Sequence, residues 1–178
     1  MPHIHTGPGE HDPTCSAWII RTDTPEPQML LHLHIKHAKW MQPGGHVELT
    51  ETPWQAVLHE IVEETGYDSK QLQILQPQQR LKSISDATLH PLPICENTHP
   101  FPDGHKHTDR AYTFVTNELP SGIPGEGESQ DIRWVTKSEL MAMPDEEVIP
   151  NVREIGIYAF EVYSGKSWKP VPLTEFEA

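Results

Sequence analysis

Between Thr52 and Gly66 the sequence writes both ends of a helix, and no other segment leaves so little choice of structure. Thr52 can cap it, and Pro53 follows at the first helical position, where its missing N–H would have no partner anyway. Trp54, Val57, Leu58 and Ile61 recur at helical spacing as an apolar stripe. Gly66 stands where a glycine ends a helix. The pattern predicts a helix over residues 53–65. On it Glu60, Glu63 and Glu64 fall on adjacent turns of one face, with Cβ atoms roughly 5–6 Å apart. Like charges so placed repel, so as structure alone they gain the helix nothing. They become favourable around a divalent cation, and hard oxygen ligands suit Mg²⁺ or Mn²⁺ rather than zinc. A solvated acidic helix face is the competing explanation of the same three residues.

The rest of the chain reads as strands with two further helical segments. Residues 14–21 are rich in β-formers, and Met29 to Ile35 alternates, with Met29, Leu31, Leu33 and Ile35 facing one way and Leu30, His32 and His34 the other. That period of two predicts a half-buried strand. A short run over 39–42 leads into Pro43-Gly44-Gly45. Further strands are expected at 72–76, 79–84, 87–94, 108–116 and 130–135, with 95–107 a His/Pro loop. Thr136 reads as a second helix cap, and another helix is expected near 148–162. Residues 1–13 are read as a loose arm, 14–163 as a single domain and 164–178 as a C-terminal tail. Trp40, Trp54 and Trp134 are expected in the core. Strands interleaved with helices make an α/β layered structure the expected fold class.

Charge then removes whole classes of function. The 178 residues carry 13 Lys+Arg against 26 Asp+Glu, a formal net charge of −13 with histidine neutral. Such a field repels nucleic acid and anionic lipid, so no nucleic-acid partner and no membrane partner are expected. A small phosphorylated ligand stays compatible if metal ions stand between carboxylate and phosphate. The first residues show neither a basic nor an apolar stretch, which predicts no signal peptide, and no apolar run is long enough for a membrane span. Cys15 and Cys95 lack metal-type spacing. The expectation is a soluble, cytoplasmic chain with two reduced thiols.

The helix belongs to a longer frame, Gly45-x5-Glu51-x7-His59-Glu60-Ile61-x-Glu63-Glu64-x-Gly66-Tyr67, preceded by Gln42-Pro43-Gly44. It resembles the Nudix box, G-x5-E-x7-R-E-U-x-E-E-x-G-U, where U is a bulky aliphatic residue. The strands before the box and the stretch Asp131 to Val135 with its following helix extend the resemblance; residues 95–107 and the tail lie outside it. Two positions depart from the pattern: His59 replaces an arginine understood to hold neighbouring glutamates, and Tyr67 replaces an aliphatic residue. Histidine and arginine are not interchangeable, since arginine keeps its charge and offers a planar fork of donors. His59 could hydrogen-bond Glu63 or Glu51 in a weaker, pH-dependent way.

The resemblance implies a Nudix-type α/β/α sandwich, a mixed sheet between helices. It implies a hydrolase that splits the pyrophosphate of a nucleoside diphosphate linked to another group, X, by attack of water at phosphorus. Mg²⁺ or Mn²⁺ would be held by Glu60, Glu63 and Glu64 and the Gly45 carbonyl, with Glu51 and His59 supporting. Glu60, or a glutamate outside the box, would orient or deprotonate the water. Glu128 is the first choice outside the box and Glu126 the second; an exposed acidic loop explains both equally. The expected partner is a small nucleotide-type substrate, and the family leaves room for a homodimer. The histidines add candidates. His105-x-His107-x-Asp109 aligns three side chains on one face of an extended segment, able to bind a transition metal or contact phosphate, or simply to be solvated. His34 stands where some relatives place a phosphate-gripping basic residue, and His46 directly follows Gly45. The alternatives are a weakly catalytic nucleotide sensor, motivated by His59, and a His-rich zinc-binding protein.

Overall fold

The computed structural model describes residues 7–176. The outermost parts of the expected arm and tail, residues 1–6 and 177–178, lie outside the described residues. Its centre is a pair of long parallel strands, β1 (His11–Arg21) and β7 (Lys106–Thr116), in register from His11↔Lys106 to Arg21↔Thr116. Around them stand β2 (Gln28–His34), β3 (Lys39–Met41), β4 (Gly44–His46), β5 (Gln73–Pro77), β6 (Cys95–Pro100), β8 (Ile132–Thr136) and β9 (Trp168–Pro172). The main order is β3-β2-β1-β7-β5-β9, with β4 on β1, β6 on β7 and β8 on β2. Apart from the parallel β1–β7 pair, these strands pair antiparallel, so the sheet is mixed.

Side-chain alternation along β1 sends two apolar sets to opposite faces. Ala17 and Ile19, with Leu30 and Phe114, meet Trp54, Val57 and Ile61 of α1 (Pro53–Thr65). Trp18 and Ile20, with Met29 and Leu31, meet Leu140 of α2 (Lys137–Ala142) and Val152, Ala159 and Phe160 of α3 (Pro150–Ser164). The result is the α/β/α sandwich with a mixed sheet between helices. Covering both faces also corrects the half-buried reading of β2. Met29, Leu30 and Leu31 are all buried, as strands between two helical layers must be.

The ends of α1 form as the sequence dictates. Thr52 Oγ1 accepts from Gln55 N–H at 3.2 Å, and the Gln55 side chain accepts from Thr52 N–H at 2.9 Å. Thr136 caps α2 through the same reciprocal pair with Glu139. Helix α3 starts at Pro150 rather than 148, because proline takes the first helical position and leaves Ile149 outside.

Several expectations fail, because strand pairing is set by partners distant in sequence. Residues 79–84 and 87–94 form no strand; Leu81 and Ile84 are exposed. The expected 95–107 loop instead contains β6, which pairs with β7 from Cys95↔Ala111 to Pro100↔Lys106. β1 begins inside the stretch read as an arm. β9 lies in the expected tail and pairs with β5, with Pro170 and Pro172 tolerated on a sheet edge. Trp54 is fully buried, whereas Trp40 and Trp134 are only partly so, Trp134 lying 4.8 Å from the Arg21 guanidinium. Both cysteines are free. Among the described residues no helix is long and apolar enough to cross a membrane.

Candidate active site

Helix α1 turns Glu60 and Glu64 inward onto β4, and both are buried. The contact depends on Gly45: a Cβ there would stand 2.1 Å from Glu60 Oε1, so any side chain would displace the carboxylate. Gly44 N–H donates to Glu64 Oε2 at 2.7 Å. Among the described residues Glu60 Oε1 has no hydrogen-bond partner despite its burial. Burial pushes the Glu60 carboxyl up to about 7, with the charges of Glu63 and Glu128 adding to the rise. Glu64 rises to about 9, again chiefly from burial, with Glu60 and Glu128 contributing against the Gly44 hydrogen bond. Carboxylates held this way resist ionising until a positive charge joins them.

Glu63 faces out, and His59 ties it to Glu51. His59 Nε2 lies 3.0 Å from Glu63 Oε1, and Nδ1 lies 3.3 Å from Glu51 Oε1. An imidazole donates from both nitrogens only when protonated, so in this bridge histidine imitates the two-armed donation of arginine. Burial opposes the charge, but the Glu63 hydrogen bond and the Glu63, Glu51 and Glu60 charges together outweigh it and raise the His59 pKa.

The loop carrying Glu128 is fastened to the same helix. Gly122 N–H donates to Gly66 O at 2.9 Å and Gly125 N–H to Glu63 O at 2.7 Å. Gly66 has φ +73°, and a Cβ there would come within 2.5 Å of the Gly122 carbonyl carbon. A glycine is therefore required both to end the helix and to let the loop approach. Glu128 lines a cleft of about 660 Å³ together with Glu60, Glu63, Glu64 and Gly45. Glu126 is exposed and outside that lining. A smaller hollow of about 240 Å³ near Arg80 and Phe176 contains none of these glutamates.

The histidines divide. His34 lines the cleft and its Nδ1 accepts from His37 N–H at 3.3 Å. Burial and the neighbouring His37 lower its pKa, so it is uncharged at neutral pH. His46 and His107 also line the cleft, with Nε2 atoms 3.2 Å apart. His105 and His107 do not gather Asp109 with them, contrary to the expected trio. Asp109 accepts hydrogen bonds from Thr14 Oγ1 at 3.0 Å and Ser16 Oγ at 2.9 Å, and burial raises its pKa. The third member is Asp12, whose carboxylate comes within 4.8 Å of both imidazoles.

Sequence reasoning missed Asp12, Lys36 and His32. Asp12-x-Thr14-x-Ser16 has the same polar alternation as His105-x-His107-x-Asp109, and two such stretches facing each other across a sheet were the available clue. Lys36, in the turn after β2, is the sole Lys or Arg among the described residues lining the cleft. His32 is buried 3.9 Å from Glu64 Oε2. Burial pushes its pKa down to about 4, so the contact is no ion pair at neutral pH.

The family model described as NUDIX domain matches residues 11–153. No curated protein sequence matches significantly. Among solved structures, a NUDIX-family hydrolase from Clostridium perfringens is 26% identical, with a TM-score of 0.68 over 85% of this chain and 97% of that one. An Ap4A hydrolase from C. elegans is 20% identical, with a TM-score of 0.56 over 85% and 96%. The E. coli dihydroneopterin triphosphate pyrophosphohydrolase is 16% identical, with a TM-score of 0.60 over 89% and 99%. With the family model spanning most of its length, this chain belongs to the Nudix hydrolase family.

Proposed function

We propose that this Nudix enzyme hydrolyses a nucleoside diphosphate linked to a second group, X, at the pyrophosphate, with Mg²⁺ or Mn²⁺ as cofactor. One observation carries the reading. Buried Glu60 packs against Gly45, which leaves no room for a side chain, buried Glu64 beside it accepts from Gly44 N–H, and Glu60 Oε1 has no hydrogen-bond partner among the described residues. Buried charge is tolerated when it is paired or coordinates a metal, and an all-oxygen donor set is the one hard divalent ions take. Glu60, Glu64 and the Gly45 carbonyl would hold the ion, with Glu63 joining from the exposed side. When bound, the ion neutralises phosphate oxygens and helps align water for in-line attack.

The chain's own groups do the rest. Glu128 reaches the cleft from a loop anchored on α1 and is the group we assign to orienting and deprotonating the water. His59 fixes Glu51 and Glu63, so the departure from the family arginine is met by a protonated bridge. Lys36 offers the cleft a flexible cation for phosphate, while neutral His34 can serve only as a hydrogen-bond partner. Support for a nucleotide-type substrate comes from the neighbours named for Ap4A and for dihydroneopterin triphosphate.

The test is release of phosphate or nucleoside monophosphate from a panel of nucleoside triphosphates, dinucleotides and nucleotide sugars with Mg²⁺ or Mn²⁺. Wild type should turn over at least one of them. Glu64→Gln should lose more than the roughly 10–100-fold that removing a group behind a metal ligand costs. Glu128→Gln should lose rate by about 10²–10⁴, the usual contribution of a general base, while retaining metal affinity. Equal inactivity of wild type and Glu64→Gln on every substrate, with the fold intact, would overturn the hydrolase in favour of a nucleotide sensor.

A further inference from the structure

A second group of potential ligands lies on the sheet, built from different chemistry. Strand β1 runs between β4 and β7, and the register brings three strands' polar residues to one face. Asp12 is the direct partner of His107, and Thr14, two residues further along β1, is the partner of His46. His105 precedes His107 by two residues and shares its face. The ligand atoms of Asp12, His105 and His107 all lie within 4.8 Å of one another. His46 Nε2 lies 3.2 Å from His107 Nε2 and 3.7 Å from Asp12 Oδ2. Ligands about 2.0–2.1 Å from a tetrahedral zinc ion stand about 3.4 Å from each other, so Asp12, His105 and His107 would have to draw together around the ion, and His46, which stands beside two of them, would have to swing in as the fourth.

The surroundings are those of a metal site as well. Asp12 is 0% exposed, His105 1% and His107 8%. His105 Nδ1 is hydrogen-bonded to the Asp103 carboxylate, the partner that fixes a ligating imidazole's tautomer and leaves Nε2 to coordinate. The Phe101 ring lies 4.7 Å from the His105 ring, nearly parallel, and 4.2 Å from the His107 ring, holding both in place. Three imidazoles and one carboxylate favour zinc over magnesium. The glutamates of α1 favour the reverse.

We propose that Asp12, His46, His105 and His107 form a closed zinc site that clamps the starts of β1 and β7 to β4. With four protein ligands it keeps no open position for water, which marks it as structural rather than catalytic. Because His46 directly follows Gly45, the clamp also fixes the glycine against which Glu60 packs. The inference does not depend on the hydrolase reading, since the ligand sets share no residue.

The experiment uses untagged full-length protein stripped with a chelator and reloaded with Zn²⁺ or Co²⁺. One zinc per chain should survive gel filtration, in wild type and in Glu60→Gln/Glu64→Gln alike. The cobalt form should give the intense visible absorption of four-coordinate nitrogen and oxygen ligation, and chelation should lower the Tm. His105→Ala/His107→Ala should lose the zinc while keeping wild-type circular dichroism. Absence of stoichiometric zinc in wild type, zinc retained by His105→Ala/His107→Ala, or zinc lost from the glutamate variant would each overturn the proposal. Should the double histidine variant fail to fold, the wild-type cobalt spectrum decides alone, and weak six-coordinate absorption would overturn the clamp.

Discussion

The two clusters of ionisable groups differ in how they are assembled, and the difference governs what each can do. Glu60, Glu63 and Glu64 come from one helix, within five consecutive residues, and open into the cleft. Asp12, His46 and His107 come from three strands and His105 from the residue just before β7, far apart in sequence, and Asp12, His105 and His107 are buried. A set on one helix is rigid relative to itself and presents a row of oxygens to whatever enters. A set spread over three strands exists only when the strands are in register, so anything bound there reports on the sheet. On the two proposals above, the chain separates groups fit for turnover from groups fit for holding shape.

The sharpest way to break that separation is Gly45→Ala. The added methyl would meet Glu60 Oε1 at 2.1 Å, with its neighbour His46 in the strand set unaltered in identity. Activity should fall about 10–100-fold or more, as when a supporting group behind a metal ligand is lost, while bound zinc stays at one per chain. Metal analysis beside the kinetics checks it. Parallel loss of zinc and activity would mean the two clusters are one cooperative site.

The same contrast explains what could be read from the sequence. The span of α1, Thr52 at its cap, Gly66 at its end and the inward Glu60 and Glu64 are local consequences of spacing. The box from Gly45 to Tyr67 added the fold class. What escaped was pairing. Nothing within 95–107 marks Cys95–Pro100 as a strand until β7 lies beside it, and Pro170 and Pro172 argue against β9 unless its outer edge is known to be unpartnered by the main sheet. A period of two groups Asp109 with the histidines, yet Thr14 and Ser16 claim it through a partner strand invisible from residue 109.

A smaller effect should appear in stability against pH without divalent cations. The folded Glu64 carboxyl rises from 4.5 to about 9, so between those values the folded chain holds a proton that the unfolded chain has released. Stability from that group is complete below 4.5 and drains away as pH climbs to about 9, at no more than about 1.4 kcal/mol per pH unit. Between pH 7 and 9 the low His32 pKa no longer contributes. The cation-free Tm should drop by up to about 5–9 °C across that interval, at roughly 2–4 °C per kcal/mol for a chain of this length. Mg²⁺ or Glu64→Gln should flatten the slope, measured by calorimetry. A wild-type slope equal to that of Glu64→Gln would show that this carboxyl is not protonated in the folded protein.

The least effect is expected at His59, where the acidic helix meets solvent. The imidazole is protonated while it bridges Glu51 and Glu63, and its raised pKa means the bridge is whole at low pH and fails as pH climbs past that value. His59→Arg keeps a cation there throughout, since a guanidinium does not titrate in this range. The side chain of His59 is 44% exposed, and exposed ion pairs are worth roughly 0.2–1 kcal/mol, about one- to fivefold in rate. Rates of His59→Arg and wild type should therefore coincide near pH 6 and diverge up to about fivefold in favour of arginine by pH 9. The ratio of the two profiles, rather than either alone, cancels the titration of Glu60 and Glu64. A ratio that stays constant across that range would assign the His59 bridge no part in holding the acidic cluster.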